Sequence, residues 1–246
     1  MNSVVLITGA TSGIGKQLAV DFAESGWRVI ACGRNEAVLA ELAATSSSIE
    51  TLKFDVTDYE ETKRVLSSLK TIPDTWIFNA GDCEYMDDGI VDAQLMARVM
   101  NVNVVGVANC IEACQPYFQR GHRVVIVGSI ASEVALPRAE AYGASKAAVS
   151  YFARTLAVDL KKKGIKVITV FPGFVETPLT DKNTFEMPMI ISTKQASQLL
   201  RRQLAANKSH IYFPARFTGI LRFISLLPYS WQARLTAKLV SEKEEA

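Results

Sequence analysis

The sequence predicts an α/β fold: a doubly wound parallel sheet with helices on both faces. Three observations carry this. Short β-branched runs alternate with longer helical stretches along most of the chain. The runs are continuously apolar, as strands covered on both faces must be. A glycine-rich turn joins the first run to the first helical stretch. Right-handed crossovers between parallel strands wind such a sheet both ways from its centre.

Taken in order, Val4-Val5-Leu6-Ile7 reads as a buried strand and Ile14 to Ser25 as a helix. Arg28 to Cys32 is the second strand, followed by a helix from Glu36 to about Ala44. Thr51 to Phe54 and Trp76 to Phe78 repeat the strand signal, with a helix from Glu60 to Leu69 between them. One long helical region runs from Val91 to Phe118. Strand Val124 to Val127, helix Tyr142 to Lys162 and strand Val167 to Phe171 complete the pattern. No internal repeat or Pro/Gly/Ser-rich linker divides residues 1–246, so a single domain is expected. Ser241 to Ala246 reads as a frayed, solvated end.

The 27 basic and 25 acidic side chains leave a net charge of +2. That balance, with no basic run, offers no footprint for nucleic acid. Lys161-Lys162-Lys163 reads as a solvated helix end. Four cysteines (Cys32, Cys83, Cys110 and Cys114) match no zinc or redox spacing. Cys110 and Cys114 read as buried thiols in an apolar helix. Few cysteines, no secretory signal and no long apolar run point to a cytoplasmic protein. His122 and His210 have no carboxylate or cysteine at ligand spacing, so no metal site is expected.

The turn reads Thr8-Gly9-Ala10-Thr11-Ser12-Gly13-Ile14-Gly15. A pyrophosphate can reach a helix amino terminus only through a tight turn with uncovered N–H groups, which glycines at 9, 13 and 15 supply. Their spacing is GxxxGxG rather than GxGxxG. With a strand before and a helix after, this reads as a Rossmann-type dinucleotide cradle in preference to an ordinary tight strand–helix turn. The carboxylate that would grip an NAD ribose is missing from Cys32-Gly33-Arg34-Asn35. Arg34 could instead hold a 2′-phosphate, which favours NADP(H) over NAD(H). Ser12 could add a hydroxyl.

Tyr142 and Lys146 lie four apart on one helix face, and Ser129 follows the strand ending at Val127. A nearby ammonium and a positive oxidised nicotinamide should both lower the phenol's ordinary pKa towards the working range, while a serine hydroxyl holds a substrate oxygen.

These residues resemble the short-chain dehydrogenase/reductase family over nearly the whole chain. Residues 8–15 are similar to that family's cofactor loop, which implies contacts from Gly9, Thr11, Ser12, Gly13, Ile14 and Gly15. Asp55-Val56 resembles its adenine-contacting pair. Asn79-Ala80-Gly81 resembles its Asn-Asn-Ala-Gly motif, with Phe78 in place of the first asparagine. Asn103 falls where the family keeps an asparagine that kinks a helix and holds a relay water. Ser129, Tyr142 and Lys146 match its catalytic serine, tyrosine and lysine. Pro172-Gly173-Phe174-Val175-Glu176-Thr177 resembles its PGxVxT segment at the nicotinamide, which implies cofactor contacts from Pro172, Gly173, Val175 and Thr177. The resemblance also implies a proton relay from Tyr142 through Lys146 towards Asn103, and a homodimer or homotetramer.

The expected function is therefore NAD(P)(H)-dependent transfer of a hydride between nicotinamide and a small-molecule carbonyl or alcohol substrate, which could be lipophilic. Two alternatives stay open: an isomerase or dehydratase that retains its nicotinamide, and a non-catalytic NADP(H)-sensing module. A loop over residues 178–193, with Phe185, Met187, Met189 and Ile190, should cover the substrate. Methionines from Met86 to Met100 read as helix packing, with Met96 or Met100 as pocket candidates.

Residues 215–240 read as an apolar helical extension. Thr218, Arg222 and Ser225 share one narrow face, and the remaining apolar surface demands burial. Its cover could be the rest of the subunit or a second subunit. It could also be a lid over a lipophilic substrate or a peripheral membrane contact, which Trp231, Arg234 and Lys238 suit.

Overall fold

Strand β1 (Val4–Thr8) is buried along its whole length, as its unbroken apolar sequence requires. It pairs in parallel with β2 (Arg28–Gly33) on one side and with β4 (Thr75–Phe78) on the other. The computed structural model, which describes residues 3–182 and 187–237, builds outward from this centre. With β3 (Ile49–Lys53), β5 (Arg123–Val127), β6 (Lys166–Pro172) and β7 (His210–Phe213), the seven-stranded sheet runs β3-β2-β1-β4-β5-β6-β7. All pairings are parallel. The winding reverses between β1 and β4, where a crevice opens at the carboxyl ends of the strands.

Alternate strand residues feed two apolar layers. One face packs Val5, Ile7, Val29, Ile77, Val125 and Ile168 against helices α1 (Gly13–Glu24), α2 (Glu36–Thr45) and α7 (Thr193–Ala205). The other packs Leu6, Ile30, Trp76, Phe78, Val124 and Ile126 against α3 (Tyr59–Leu66), α5 (Gly106–Cys114) and α6 (Glu140–Lys161). Helix starts are set locally. Asn35 and Asp58 accept from Val38 and Glu61 N–H, Asp92 caps α4 (Ala93–Met100), and Ser192 with Gln195 forms a capping box on α7. Asp21 is buried between α1 and α7, where the Ser197 hydroxyl donates to it at 2.5 Å and Arg201 pairs with it at 3.8 Å.

The expected elements are present, with four corrections. First, residues 91–118 are not one regular helix. Residues Asn101–Val105 form a π turn between α4 and α5, with the Gly106 N–H reaching back to Asn101 O. The turn lets the Asn103 side chain point inward. Second, α7 and β7 were not foreseen. The strand has only four residues and ends at Pro214.

Third, the carboxyl-terminal extension is two helices, α8 (Ala215–Ser225) and α9 (Tyr229–Ala237), and the expected residues 238–240 lie outside the described residues. Thr218 belongs to the buried face, not a polar one, because its hydroxyl donates to Pro214 O at 2.9 Å and so needs no water. Fourth, much of the extension's apolar surface is exposed, including Ile220, Phe223, Leu226 and Trp231.

Among the described residues, no helix is long and apolar enough to cross a membrane. Lys161, Lys162 and Lys163 are exposed, as expected. All four cysteines are buried thiols. His122 accepts from Trp76 Nε1 and the Gln119 N–H, a structural role. Met86 and Met96 pack with Val99 and Ala141, away from the crevice.

Candidate active site

The crevice holds a cavity of about 550 Å³. One wall is the β1–α1 turn. Thr8 Oγ1 accepts from Asn79 N–H at 3.0 Å and from Ala80 N–H at 3.1 Å, and Asn79 Nδ2 donates back to Thr8 O at 3.1 Å. These bonds lace the ends of β1 and β4 together, and space there is tight. A side chain at Gly9, whose φ is +66°, would put its Cβ 2.8 Å from the Ala80 backbone. One at Gly33 would meet Thr11 at 2.6 Å. Ser12 precedes α1 without spending its side chain on the helix, so the first-turn N–H groups face the cavity uncapped.

The residues fit a dinucleotide on these grounds: a glycine-lined cradle, an uncapped helix start and a cavity long enough to reach Arg34 and Asp55 at one end and Tyr142 at the other. Arg34 is exposed at the rim and pairs with Asp55 at 3.3 Å. Partial burial raises the Asp55 carboxyl, but two bonds from Thr57, with the Arg34 pairing adding to them, hold it below its ordinary value.

At the other end, Ser129 caps a short 3₁₀ turn after β5, and Tyr142 lies in the first turn of α6 with Lys146 one turn on. The Ser129 hydroxyl favours the ionised form of the Tyr142 phenol. Lys146 is buried, 5.7 Å from the Tyr142 ring centroid, and donates to Val127 O at 3.1 Å. Behind the wall, Asn103 Oδ1 accepts from Asp82 N–H at 2.7 Å, while its Nδ2 donates to Asp82 O and to Ser145 Oγ, both at 2.8 Å. Ser145 in turn donates to Tyr142 O. Gly81 separates the Asn103 amide from the Lys146 ammonium. A Cβ there would sit 3.0 Å from Asn103 Oδ1 and 3.3 Å from Lys146 Nζ.

The protein's own groups move the Tyr142 pKa upward, whereas the lowering expected from sequence includes the charge of an oxidised nicotinamide. Although the residue keeps some accessible surface, burial of the phenol pushes it well above the usual range. Nearby Cys83 adds to the rise and the Ser129 hydrogen bond opposes it. Burial also pushes the Lys146 ammonium down to about 8, with Cys83 opposing. Desolvation outweighs the single favourable neighbour in both cases.

A measurable consequence follows from Lys146. Between about pH 8 and its ordinary 10.5, the unfolded chain binds a proton that the folded chain does not, so the cost of burying the ammonium is lifted as pH rises through that window. Burial raises the thiols of Cys32, Cys110 and Cys114, which gives the opposite slope, so the useful quantity is a difference. The unfolding free energy of wild type minus that of Lys146→Met should climb across the window in urea titrations. A flat difference would mean that the ammonium is solvated.

The profile of the short chain dehydrogenase family matches residues 3–187. The chain belongs to this family. Over 233 residues it is 32% identical to an uncharacterized oxidoreductase of Myxococcus xanthus, covering 91% of this chain and 92% of that one. Sulfoacetaldehyde reductase 2 of Chromohalobacter salexigens is 35% identical over 193 residues, covering 73% and 75% of the two chains. A short chain dehydrogenase from Burkholderia cenocepacia, solved in complex with NADP, superposes with a TM-score of 0.84 at 26% identity, covering 95% and 97% of the chains.

In this short-chain dehydrogenase, all but two of the site residues expected from sequence line the one cavity. They are Gly9, Thr11, Ser12, Gly13, Ile14, Arg34, Asp55, Val56, Asn79, Ala80, Gly81, Ser129, Tyr142, Lys146, Pro172, Gly173, Val175 and Thr177. Gly15 and Asn103 stand behind the wall. Of the expected substrate loop, Pro178, Leu179, Thr180 and Pro188 line the cavity. Met187, Met189 and Ile190 do not, and Phe185 lies outside the described residues.

The sequence reading missed Cys83, Tyr85, Leu136, Pro137 and Phe174 as wall residues, and placed Phe217 only within a segment that might act as a lid. Cys83 had a signal, two positions after Gly81. Phe217 had none of its own, because it arrives from α8, far along the chain.

Proposed function

We propose that this short-chain dehydrogenase reduces a lipophilic carbonyl compound with NADPH. The observation that carries the proposal is the joint placement of Ser129, Tyr142 and Lys146 at one end of the cavity whose other end is the glycine cradle. When bound, the nicotinamide supplies or accepts the hydride. This chain's own residues do the rest. Ser129 orients the substrate oxygen, and the Tyr142 phenol, held protonated by its burial, gives that oxygen a proton as charge develops on it. Lys146 keeps a charged proton donor beside the tyrosine, and Asn103 fixes the start of α6 through Ser145. Leu136, Phe174, Leu179 and Phe217 make the substrate side apolar and exclude water.

Gly9, Gly13 and the uncapped start of α1 would hold the pyrophosphate, with Pro172, Gly173, Val175 and Thr177 at the nicotinamide end. The NADP-bound Burkholderia cenocepacia structure supports the choice of cofactor class. Arg34 supports the 2′-phosphate preference, since Asp55 neutralises only part of a five-donor guanidinium.

The test is NADPH and NADH oxidation against carbonyls graded from small polar ketones to long-chain aldehydes and ketones. Turnover should rise with chain length. No turnover across the panel, despite NADPH binding, would defeat the proposal. Arg34→Asp should shift the NADPH/NADH ratio of kcat/KM by roughly 10- to 100-fold towards NADH, the equivalent of one charge-assisted contact. An unchanged ratio would remove Arg34 from the cofactor site.

A further inference from the structure

We propose that the outer face of α8 and α9 docks onto an anionic membrane surface. The inner face of α8 is spoken for, because Phe217 and Leu221 pack on Ile130 and Val134. On the opposite side, Ile220 is 51% exposed and Phe223 66%, and Leu226 follows at 82%. Beyond the turn, Tyr229 is 88% exposed and Trp231 59%. Gln232 Nε2 donates to Ser225 O and Leu227 O, which holds the two helices in a fixed corner. Among the described residues nothing covers this surface. Apolar side chains flanked by tyrosine and tryptophan are the composition of a helix lying in a lipid interface.

Charge decides between a bilayer and a second copy of the chain. From Met187 to Ala237 the chain has seven of its 27 basic side chains and none of its 25 acidic ones, so the remainder is net acidic. Arg216 shares the exposed side of α8 with Phe223, Arg234 is exposed on α9, and neither pairs with an acid among the described residues. A self-complementary interface would set these positive charges against their own copies. A phosphatidylglycerol-containing surface would meet them with opposite charge, within screening distance.

The test is sedimentation of the full chain with vesicles of phosphatidylcholine alone or mixed with phosphatidylglycerol. Trp231 emission is a second readout, because Trp76 is fully buried and Trp27 partly so. Binding should require phosphatidylglycerol, shift the emission to the blue and weaken with salt. Phe223→Ser with Leu226→Ser, and separately Arg216→Glu with Arg234→Glu, should each weaken binding at least roughly tenfold. All four side chains are exposed, so both variants should melt like wild type. The idea is overturned by an absence of binding, by equal binding to neutral vesicles, or by a dimer that these variants turn into monomers without any vesicle association. No readout needs cofactor or turnover, so failure here would leave the oxidoreductase assignment untouched.

Discussion

Tyr142→Phe should lower turnover by roughly 10²- to 10⁴-fold, the usual worth of one general acid, while NADPH affinity stays close to wild type. The substitution removes one oxygen and no ring surface, so the cavity keeps its shape and α6 its first turn. What disappears is the one proton donor that sits beside Ser129 at the cavity end. Lys146 cannot replace it, because its ammonium lies behind the ring and donates to Val127 O. Ser129→Ala should cost less, since the hydroxyl orients an oxygen without supplying the proton. Stopped-flow NADPH oxidation with an accepted carbonyl, alongside fluorescence titration of NADPH, separates the two quantities. A fully active Tyr142→Phe enzyme would overturn the mechanism.

The second large effect is on folding. Gly15→Ala should destabilise the protein by about 3 kcal/mol or more, at or beyond the top of the usual overpacking range. The added Cβ would lie 2.2 Å from the Gly9 carbonyl oxygen and 2.5 Å from Asn79 Nδ2. Neither neighbour can yield easily. Gly9 is pinned against Ala80, and Asn79 is tied to the end of β1 by its own hydrogen bonds. Gly219→Ala is the control, because nothing lies within 4 Å of its added methyl in the interior of α8. That change should stabilise by about 0.5–1 kcal/mol through helix propensity. Urea midpoints at constant m-value measure both. Equal midpoints for Gly15→Ala and wild type would show that the turn is looser than its contacts indicate.

Much of this arrangement was readable from residues near one another in the chain. Strand β1, the glycine turn and α1 form a contiguous run, and Tyr142 with Lys146 needs only helical spacing. What local spacing could not supply was anything decided by distant packing. The hydroxyl of Thr8 and the backbone N–H of Asn79 find each other across 71 positions. Phe217 reaches the cavity only because α8 folds back over the loop after β5. The protein's own groups raise the Tyr142 pKa for the same reason. Sequence names the lysine beside it, but the desolvation that dominates comes from the whole wall. The apolar carboxyl-terminal segment shows a third limit, since its hydrophobicity called for a cover without saying which half of the surface the chain itself would bury.

The cysteines provide an internal clock for two different motions. Cys110 and Cys114 lie in one apolar layer of the core, and burial raises each thiol far from the thiolate needed for alkylation. A maleimide can reach them only when the layer opens, so their labelling rate reports unfolding. Cys32 and Cys83 are also buried, yet both border the cavity, and their labelling requires only a fluctuation of that wall. A compound that fills the cavity should slow Cys32 and Cys83 alone. One that stabilises the whole fold should slow all four together. Mass spectrometry of a single labelling time course would thus distinguish occupancy of the site from tightening of the fold, with no substitution made anywhere in the chain.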